Sequence, residues 1–148
     1  MKEKENYKSI FTLTELADFL GITRQAISSY KKNNPKRFEL ILLGFAAKKL
    51  DISYDDLKEL NKLKGCIIAD NKRNGYRYFY KQQELAEYLE TTLDAVRAYR
   101  KKDTLPYTRN ELIKLGFAVK RINATFNDLI KYNSYKVSIK EKKEDIFK

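Results

Sequence analysis

The sequence predicts a mainly α-helical protein that consists of two tandem copies of one helical unit. Three observations support this fold class. The stretch LADFLGITRQAISSYKK at residues 16–32 recurs as LAEYLETTLDAVRAYRK at residues 85–101. A second stretch, ELILLGFAAKKLDISYDDL at 39–57, recurs as ELIKLGFAVKRINATFNDL at 111–129. Within each copy the apolar residues lie three and four positions apart, which is the spacing of an amphipathic helix.

The two repeated segments cover about residues 7–60 and 76–132. We therefore expect an N-terminal unit at residues 1–64, called unit one, and a C-terminal unit at residues 76–148, called unit two. Residues 65–75 are expected to form a linker or part of a ribbon. The 148 residues of the chain are enough for two small domains.

The first two predicted helices of unit one are separated by a break at Gly21-Ile22-Thr23. The apolar positions that recur at helical spacing around this break are Leu13, Leu16, Ala17, Leu20, Ala26, Ile27 and Tyr30. We expect Thr12 or Thr14 to cap the first helix and Thr23 to cap the second. A threonine hydroxyl in that position accepts a hydrogen bond from a free backbone N–H.

Two further helices are predicted in unit one. The sequence NNP at 33–35 should end the second helix, because proline lacks a backbone donor and biases its predecessor away from helix. Residues 38–50 form a third, strongly apolar helix and the expected core of the unit. Ser53 and Asp56 have the spacing of a capping box at the start of a fourth helix.

The third helix of each unit contains the sequence LGFA, with Phe45 in unit one and Phe117 in unit two. The simplest interpretation is that these phenylalanines and the leucines beside them are core residues. The near identity of the two copies has a second interpretation, a face at which the two units, or two chains, meet.

Short β-prone runs flank the predicted helices. They predict that each unit closes with a two-stranded ribbon, formed by Tyr7–Phe11 with Cys66–Ala69 and by Tyr76–Tyr80 with Lys136–Ile139. The alternative is that these aromatic runs pack as loops over the helices.

The composition indicates a polyanionic partner. Thirty-one basic residues against twenty acidic ones give a formal net charge of +11 and a pI near 9.6. Such an excess favours nucleic acid first and an anionic membrane surface second. A basic soluble protein without such a partner is the alternative.

The residue inventory also excludes several classes. Histidine is absent and Cys66 is the only cysteine, so a zinc cluster, an intramolecular disulfide and most hydrolase chemistry lack their side chains. No glycine-rich phosphate loop occurs. We therefore predict neither enzymatic activity nor a cofactor.

The sequence also predicts where the protein is found. The apolar run Leu40–Ala47 is too short to span a bilayer, and the start MKEKENYK lacks the apolar core of a secretory signal. A cytoplasmic location is therefore expected, in the bacterial cytoplasm or nucleoid.

The first repeated stretch meets the needs of a helix-turn-helix motif. Ala17 is small where the second helix must cross the first, Gly21 tolerates positive φ in the turn, and Ile27 and Tyr30 are apolar plugs. The phrase resembles λ-repressor-like or Cro/XRE-type DNA-binding proteins, well over residues 12–57 and more loosely over 81–129. That family usually has one such unit per chain, and unit one here also follows an aromatic-rich lead-in.

The resemblance implies that the second helix enters the major groove of DNA by its N-terminal end. Its outward residues are then candidates for contacts to base edges: Thr23, Arg24, Gln25 and Ser28. Arg24 suits guanine and Gln25 suits adenine. Candidates for phosphate contacts are Ser29, Lys31, Lys32, Arg97, Arg100 and Lys101, of which the last three belong to unit two.

Unit two departs from unit one at the turn and at the start of the second helix. Glu90 replaces the turn glycine, and Leu93-Asp94 replaces Arg24-Gln25. Three arrangements are open: both units dock on successive major grooves, unit two holds phosphates only, or unit two contacts a protein. We expect DNA contact by both units, with unit one as the sequence-specific unit.

The expected function is sequence-specific binding of double-stranded DNA, as a transcriptional repressor or other regulator of phage, plasmid or bacterial origin. A replication or partition accessory protein is one alternative, and an antitoxin-like or inhibitor-like protein-interaction module is another. A homodimer and a pseudo-dimeric monomer are both compatible with the sequence. Binding driven by phosphates weakens steeply with salt, which distinguishes the DNA classes from the protein class.

Overall fold

The computed structural model of the chain describes the backbone of residues 7–97 and 107–146, with the side chains of 7–97 and 109–139. The described segments contain eight α-helices: α1 (Leu13–Leu20), α2 (Arg24–Asn33), α3 (Pro35–Lys49), α4 (Tyr54–Leu63), α5 (Gln82–Tyr88), α6 (Leu93–Arg97), α7 (Tyr107–Arg121) and α8 (Phe126–Ile146). The prediction of a mainly α protein is confirmed. Among the described helices, none combines the length and the apolar composition that a membrane span requires.

The predicted caps of unit one are present. Thr12, rather than Thr14, caps α1 by a reciprocal pair of hydrogen bonds with Glu15. The Thr23 hydroxyl accepts a hydrogen bond from the Ala26 N–H at 3.1 Å at the start of α2. Pro35 has a second role besides ending α2: it is the first residue of α3, where its missing N–H costs nothing.

The predicted ribbons are wrong: the structure places no strand in either pair of segments that it describes. Residues 7–9 and Gly75–Tyr78 form short 3-10 helices, and 136–139 lie inside α8. The Asn61 side chain explains why residues 66–69 do not form a strand. Its amide donates to the Ile68 carbonyl at 3.0 Å and accepts from the Ile68 N–H at 3.1 Å, so that backbone pairs with α4 instead of with a strand.

The aromatic rings of the lead-in segments pack on the helices, as the alternative interpretation of those runs predicts. The Phe11 and Phe45 rings lie 4.7 Å apart, edge to face. In unit two the corresponding rings, Tyr80 and Phe117, also lie 4.7 Å apart and edge to face. Aromatic pairs of this geometry add to the stabilisation from burial itself.

Equivalent residues of the two units make equivalent contacts elsewhere. Lys49 pairs with Glu15 at 2.8 Å, and Arg121 pairs with Glu84 at 2.8 Å, so each unit ties its third helix to its first helix by an ion pair. The turns repeat as well. Gly21 has φ 70° and Glu90 has φ 57°, which is the left-handed backbone predicted for both positions.

The third helices of the two units cross at the centre of the molecule. A Cβ atom added to Gly44 of α3 would overlap the backbone carbonyl of Leu112 in α7, and one added to Gly116 of α7 would overlap that of Leu40. The two contacts are equivalent under the repeat, because Gly44 corresponds to Gly116 and Leu40 to Leu112. Glycine is therefore required at both positions so that the helix backbones can touch.

Two ion pairs flank this crossing in the same reciprocal manner. Lys136 of unit two binds Asp56 of unit one at 3.0 Å, and Lys64 of unit one binds Asp128 of unit two at 3.0 Å. Phe45 and Phe117 are both buried, and one continuous hydrophobic cluster joins the two units. Both interpretations of the LGFA helices therefore apply, since they form the core and also the face at which the units meet.

Candidate nucleic-acid interface

Helix α2 turns one row of side chains inward and leaves the rest in solvent. Ile27 is buried and Tyr30 is half-buried against the core. The exposed residues include every residue of unit one predicted to contact DNA: Thr23, Arg24, Gln25, Ser28, Ser29, Lys31 and Lys32. Their exposure is a property of the fold, whereas their contact with DNA stays a prediction.

Four of these residues line a shallow concavity on the outer face of α2: Arg24, Gln25, Ser28 and Ser29. None of them is acidic, and together they offer a guanidinium, an amide and two hydroxyls. These groups can donate to phosphates, and they can both donate to and accept from base edges.

Arg24 is held in place by the preceding helix. One terminal nitrogen of its guanidinium donates to the Thr14 hydroxyl at 3.3 Å. A guanidinium has five N–H donors, so most of its hydrogen-bonding capacity remains for a ligand. Thr23 is more restricted, because its hydroxyl oxygen already accepts the capping bond of α2, although its own O–H can still donate.

The charge on α2 is uniformly positive. The helix contains no acidic residue, and its last turn carries Lys31 and Lys32. In the part of the chain that the structure describes, no carboxylate forms an ion pair with either lysine or with Arg24. These three cations are therefore available to an anionic partner.

The corresponding helix of unit two, α6, has a different surface. Val96 fills the place of Ile27 and is buried. Asp94 is almost fully exposed, and the Arg97 guanidinium lies 3.7 Å from its carboxylate. Two further predicted phosphate contacts, Arg100 and Lys101, lie outside the described residues.

Sequence reasoning missed a polar cluster that joins the units beside α2. The Glu39 carboxylate accepts hydrogen bonds from the Lys120 ammonium at 2.8 Å and the Tyr88 hydroxyl at 3.3 Å. Lys36 binds Glu90 at 3.2 Å and also lies over the Tyr88 ring. The one signal in the sequence was the identity of Glu39 with its repeat equivalent, which the core interpretation of that helix does not require.

This cluster shifts the pKa of two of its members. Burial raises the pKa of the Tyr88 hydroxyl, and the negative charge of Glu39 raises it further. Burial alone lowers the pKa of Lys120, but the hydrogen bond and charge of Glu39 outweigh burial, so its pKa is raised. Lys120 therefore stays charged, and the ion pair between the units is kept at neutral pH.

Comparison with protein-family models, with curated proteins and with solved structures gave no match to this chain. The function is therefore inferred from the fold and from the chemistry of the described surface.

Proposed function

We propose that the chain is a sequence-specific double-stranded DNA-binding protein, a transcriptional regulator that acts by occupying its operator. The observation that carries this proposal is the outer face of α2, which is exposed and contains no carboxylate. Arg24 at the start of this helix is hydrogen-bonded to Thr14 of α1. A regulator of this kind needs no chemistry of its own.

The geometry of α1 and α2 supports the assignment of unit one as a helix-turn-helix. Ala17 is buried where a close crossing requires a small side chain. Gly21 adopts left-handed backbone, and the Ile22 N–H donates to the Ala17 carbonyl at 3.0 Å to close the turn. In this motif the second helix enters the major groove, which would direct Arg24 and Gln25 to base edges.

Unit two is proposed to be a second helix-turn-helix that contributes mainly phosphate contacts. The pairing of Arg97 with Asp94 and the loss of the Arg-Gln pair argue against base recognition by α6. Arg97 is nevertheless exposed, and the unit packs on unit one through α3 and α7. Binding of α2 would therefore hold α6 in a fixed position relative to the DNA.

The crossing of α3 and α7 favours a pseudo-dimeric monomer over a homodimer. Each unit already uses its LGFA face against the other, and the flanking ion pairs are satisfied within one chain. A second chain would need a different surface. One polypeptide with two DNA-contacting units would then do what two chains do in a symmetric dimer.

Selection from a random pool of DNA duplexes, at two salt concentrations, tests this function. We expect a recovered motif and an affinity that falls linearly in log salt, because phosphate binding releases counterions. A motif with two half-sites one helical turn apart would support base recognition by both units. No enrichment at either salt concentration would reject DNA binding and favour a protein partner.

A further inference from the structure

A second concave surface lies beside α2 and belongs to both units. This groove, which we call the junction groove, has a volume of about 1220 Å³. It runs between α2, the start of α3, the lead-in residues 7–13 and the loop 123–126 of unit two. Its floor is made of alkyl and phenyl groups, contributed by Phe11, Phe38, Leu42, Leu43 and Phe126. Such a volume and floor suit a small apolar ligand.

The rim of the junction groove is strongly basic. Its cationic side chains are Lys8, Arg24, Lys31, Lys36 and Lys120. Among the described residues, the only carboxylate that lines it is Glu39, which is already bonded to Lys120 and to Tyr88. Lys36 is paired with Glu90, and Arg24 and Lys31 form no ion pair with a described carboxylate. An anionic group at the rim would therefore meet an excess of positive charge.

The start of α3 adds to this field. Pro35 and Lys36 line the groove, the first turn of α3 has no acidic residue, and the Asn34 side chain makes no capping hydrogen bond. A helix N-terminus attracts anions through its free N–H groups and its dipole. This end of α3 therefore reinforces the charge of the lysines on the rim.

We infer that the junction groove binds a small amphipathic anion, an acyl or aryl chain with one carboxylate head. The tail lies on the apolar floor, and the carboxylate lies at the rim between Arg24, Lys31 and the start of α3. Charge complementarity decides against a neutral or cationic amphiphile. The apolar residues of the floor favour an acyl or aryl tail over the polar sugar of a nucleotide.

The groove chemistry occurs in unit one and changes at the equivalent positions of unit two. Asn110 stands where unit one has Phe38, Lys114 where it has Leu42, and Leu93 where it has Arg24. The Lys114 ammonium lies over the Tyr76 ring at 4.8 Å, in the part of unit two that corresponds to the groove floor. One ligand per chain is therefore expected.

Arg24 connects this groove with the proposed DNA surface, because it lines the concavity on the outer face of α2 as well. A carboxylate that binds Arg24 and Lys31 removes both cations from DNA. The amphiphile would thus act as an inducer that weakens operator binding, a consequence that rests on the proposed function. The ligand site itself does not depend on it.

Isothermal titration of the full chain with decanoate, below its micelle concentration and without DNA, tests the site. We expect one bound decanoate per chain and binding at least about tenfold weaker for decyltrimethylammonium, which has the same tail and the opposite charge. Acetate and inorganic phosphate should give no binding. Equal affinity for the cationic amphiphile, or binding of phosphate as strong as that of decanoate, would overturn the proposal.

The variant Leu42→Lys provides a second test. It introduces a lysine at the groove floor, and unit two already has a lysine, Lys114, at the equivalent position of its third helix. The repeated fold therefore tolerates this residue there. Decanoate binding should fall by at least about tenfold. The matched control is Leu63→Lys, at an exposed leucine of α4 that does not line the groove, and it should bind as the wild type does. If circular dichroism shows that Leu42→Lys is unfolded, the comparison of decanoate with decyltrimethylammonium on the wild type still tests the site.

A titration with selected operator DNA, with and without decanoate, separates the two proposals. Decanoate should weaken operator binding of the wild type at least about tenfold and leave that of Leu42→Lys unchanged. One-to-one decanoate binding by a chain that binds no DNA would overturn the proposed function and support the site. DNA binding without decanoate binding would overturn the site alone.

Discussion

Helix α2 of unit one exposes Arg24 and Gln25 to solvent, whereas helix α6 of unit two has a half-buried Leu93 and an exposed Asp94 at the equivalent positions. Inside the two units the equivalent ring pairs, ion pairs and turns match closely. The two copies have thus kept the contacts that determine the fold and have diverged at the exposed start of the second helix. The difference separates residues that hold a unit together from those proposed to determine what it binds.

The strongest test of the equivalence is at the helix crossing. Gly44→Ala and Gly116→Ala each place a methyl group against a backbone carbonyl of the facing helix. Because a backbone cannot move aside as a flexible side chain can, we expect each variant to lower the free energy of unfolding by about 3 kcal/mol. Urea unfolding followed by circular dichroism measures this loss.

Ser134→Ala, at an exposed position of α8, is the matched control for the glycine variants. It should change the free energy of unfolding by less than about 0.5 kcal/mol. Similar losses for Gly44→Ala and Gly116→Ala would extend the equivalence of the units to their energetics. Wild-type stability in either glycine variant would contradict the close crossing.

The next effect concerns the outer face of unit one. Arg24→Ala should weaken binding to the selected operator by about 1–3 kcal/mol, because a bidentate contact to a base edge is lost. Its effect on random DNA should be smaller. Lys32→Ala, the matched control on the same helix, should weaken both by similar amounts, since a phosphate contact carries no sequence information. Fluorescence anisotropy with both duplexes makes the comparison, and equal losses for the two variants would exclude Arg24 as a contact to bases.

The two equivalent ion pairs between the units, Lys136–Asp56 and Lys64–Asp128, predict that the protein is less stable in acid. Burial alone raises the pKa of Asp56, but the hydrogen bond from the Ser53 backbone and the bond and charge of Lys136 outweigh it, so the net pKa lies below 3.8. Asp128 has the same balance, with Thr125 and Lys64 as partners.

A carboxyl group that is more acidic in the folded state stabilises the fold above its unfolded pKa. This contribution is lost as the pH falls through the folded pKa. The wild type should therefore lose stability as the pH decreases below about 4. The double variant Asp56→Asn/Asp128→Asn should lose less over that range. Both pairs are half-buried and keep contact with solvent, which screens them, so the difference should not exceed about 1 kcal/mol.

Urea unfolding at several pH values gives the slope of stability with pH for both proteins. The control is Asp18→Asn, at an exposed aspartate for which the described part of the chain shows no ion pair. A slope in the double variant as steep as in the wild type would mean that these ion pairs do not stabilise the contact between the units.

The success of the sequence predictions followed the range of the interactions involved. Local signals placed the helices and the caps at Thr23 and Ser53, and they narrowed the cap of α1 to Thr12 or Thr14, because a cap depends on residues within one turn. The ribbon prediction failed because the fate of residues 66–69 depends on Asn61 and that of 136–139 on a helix that continues without Gly or Pro. Strand propensity takes no account of the hydrogen bonds from Asn61 or of the continuation of α8.

The junction groove and the cluster around Glu39 were out of reach for a related reason. Both are made by residues that lie far apart in the chain, such as Lys36 with Glu90 and Glu39 with Lys120. The repeat indicated that the LGFA helices could meet. It gave no information on which side chains would be brought together around them.

The smallest predicted effect tests the outer face of unit two. Asp94→Asn removes an exposed carboxylate and releases Arg97 from its ion pair. If α6 faces phosphates, affinity for any duplex should rise by about 0.5 kcal/mol, with a steeper dependence on salt and an unchanged sequence preference. Anisotropy on operator and random DNA at several salt concentrations measures all three quantities.

Asp55→Asn, at an exposed carboxylate of α4, makes the same change of charge away from the proposed interface and serves as the control for Asp94→Asn. A similar rise in both variants would reflect net charge only, and α6 would then be free to contact a protein. A rise for Asp94→Asn alone would place α6 beside the DNA backbone. The divergence of the two outer faces would then be a division of labour on one DNA site, because unit one would supply the sequence preference and unit two the phosphate contacts.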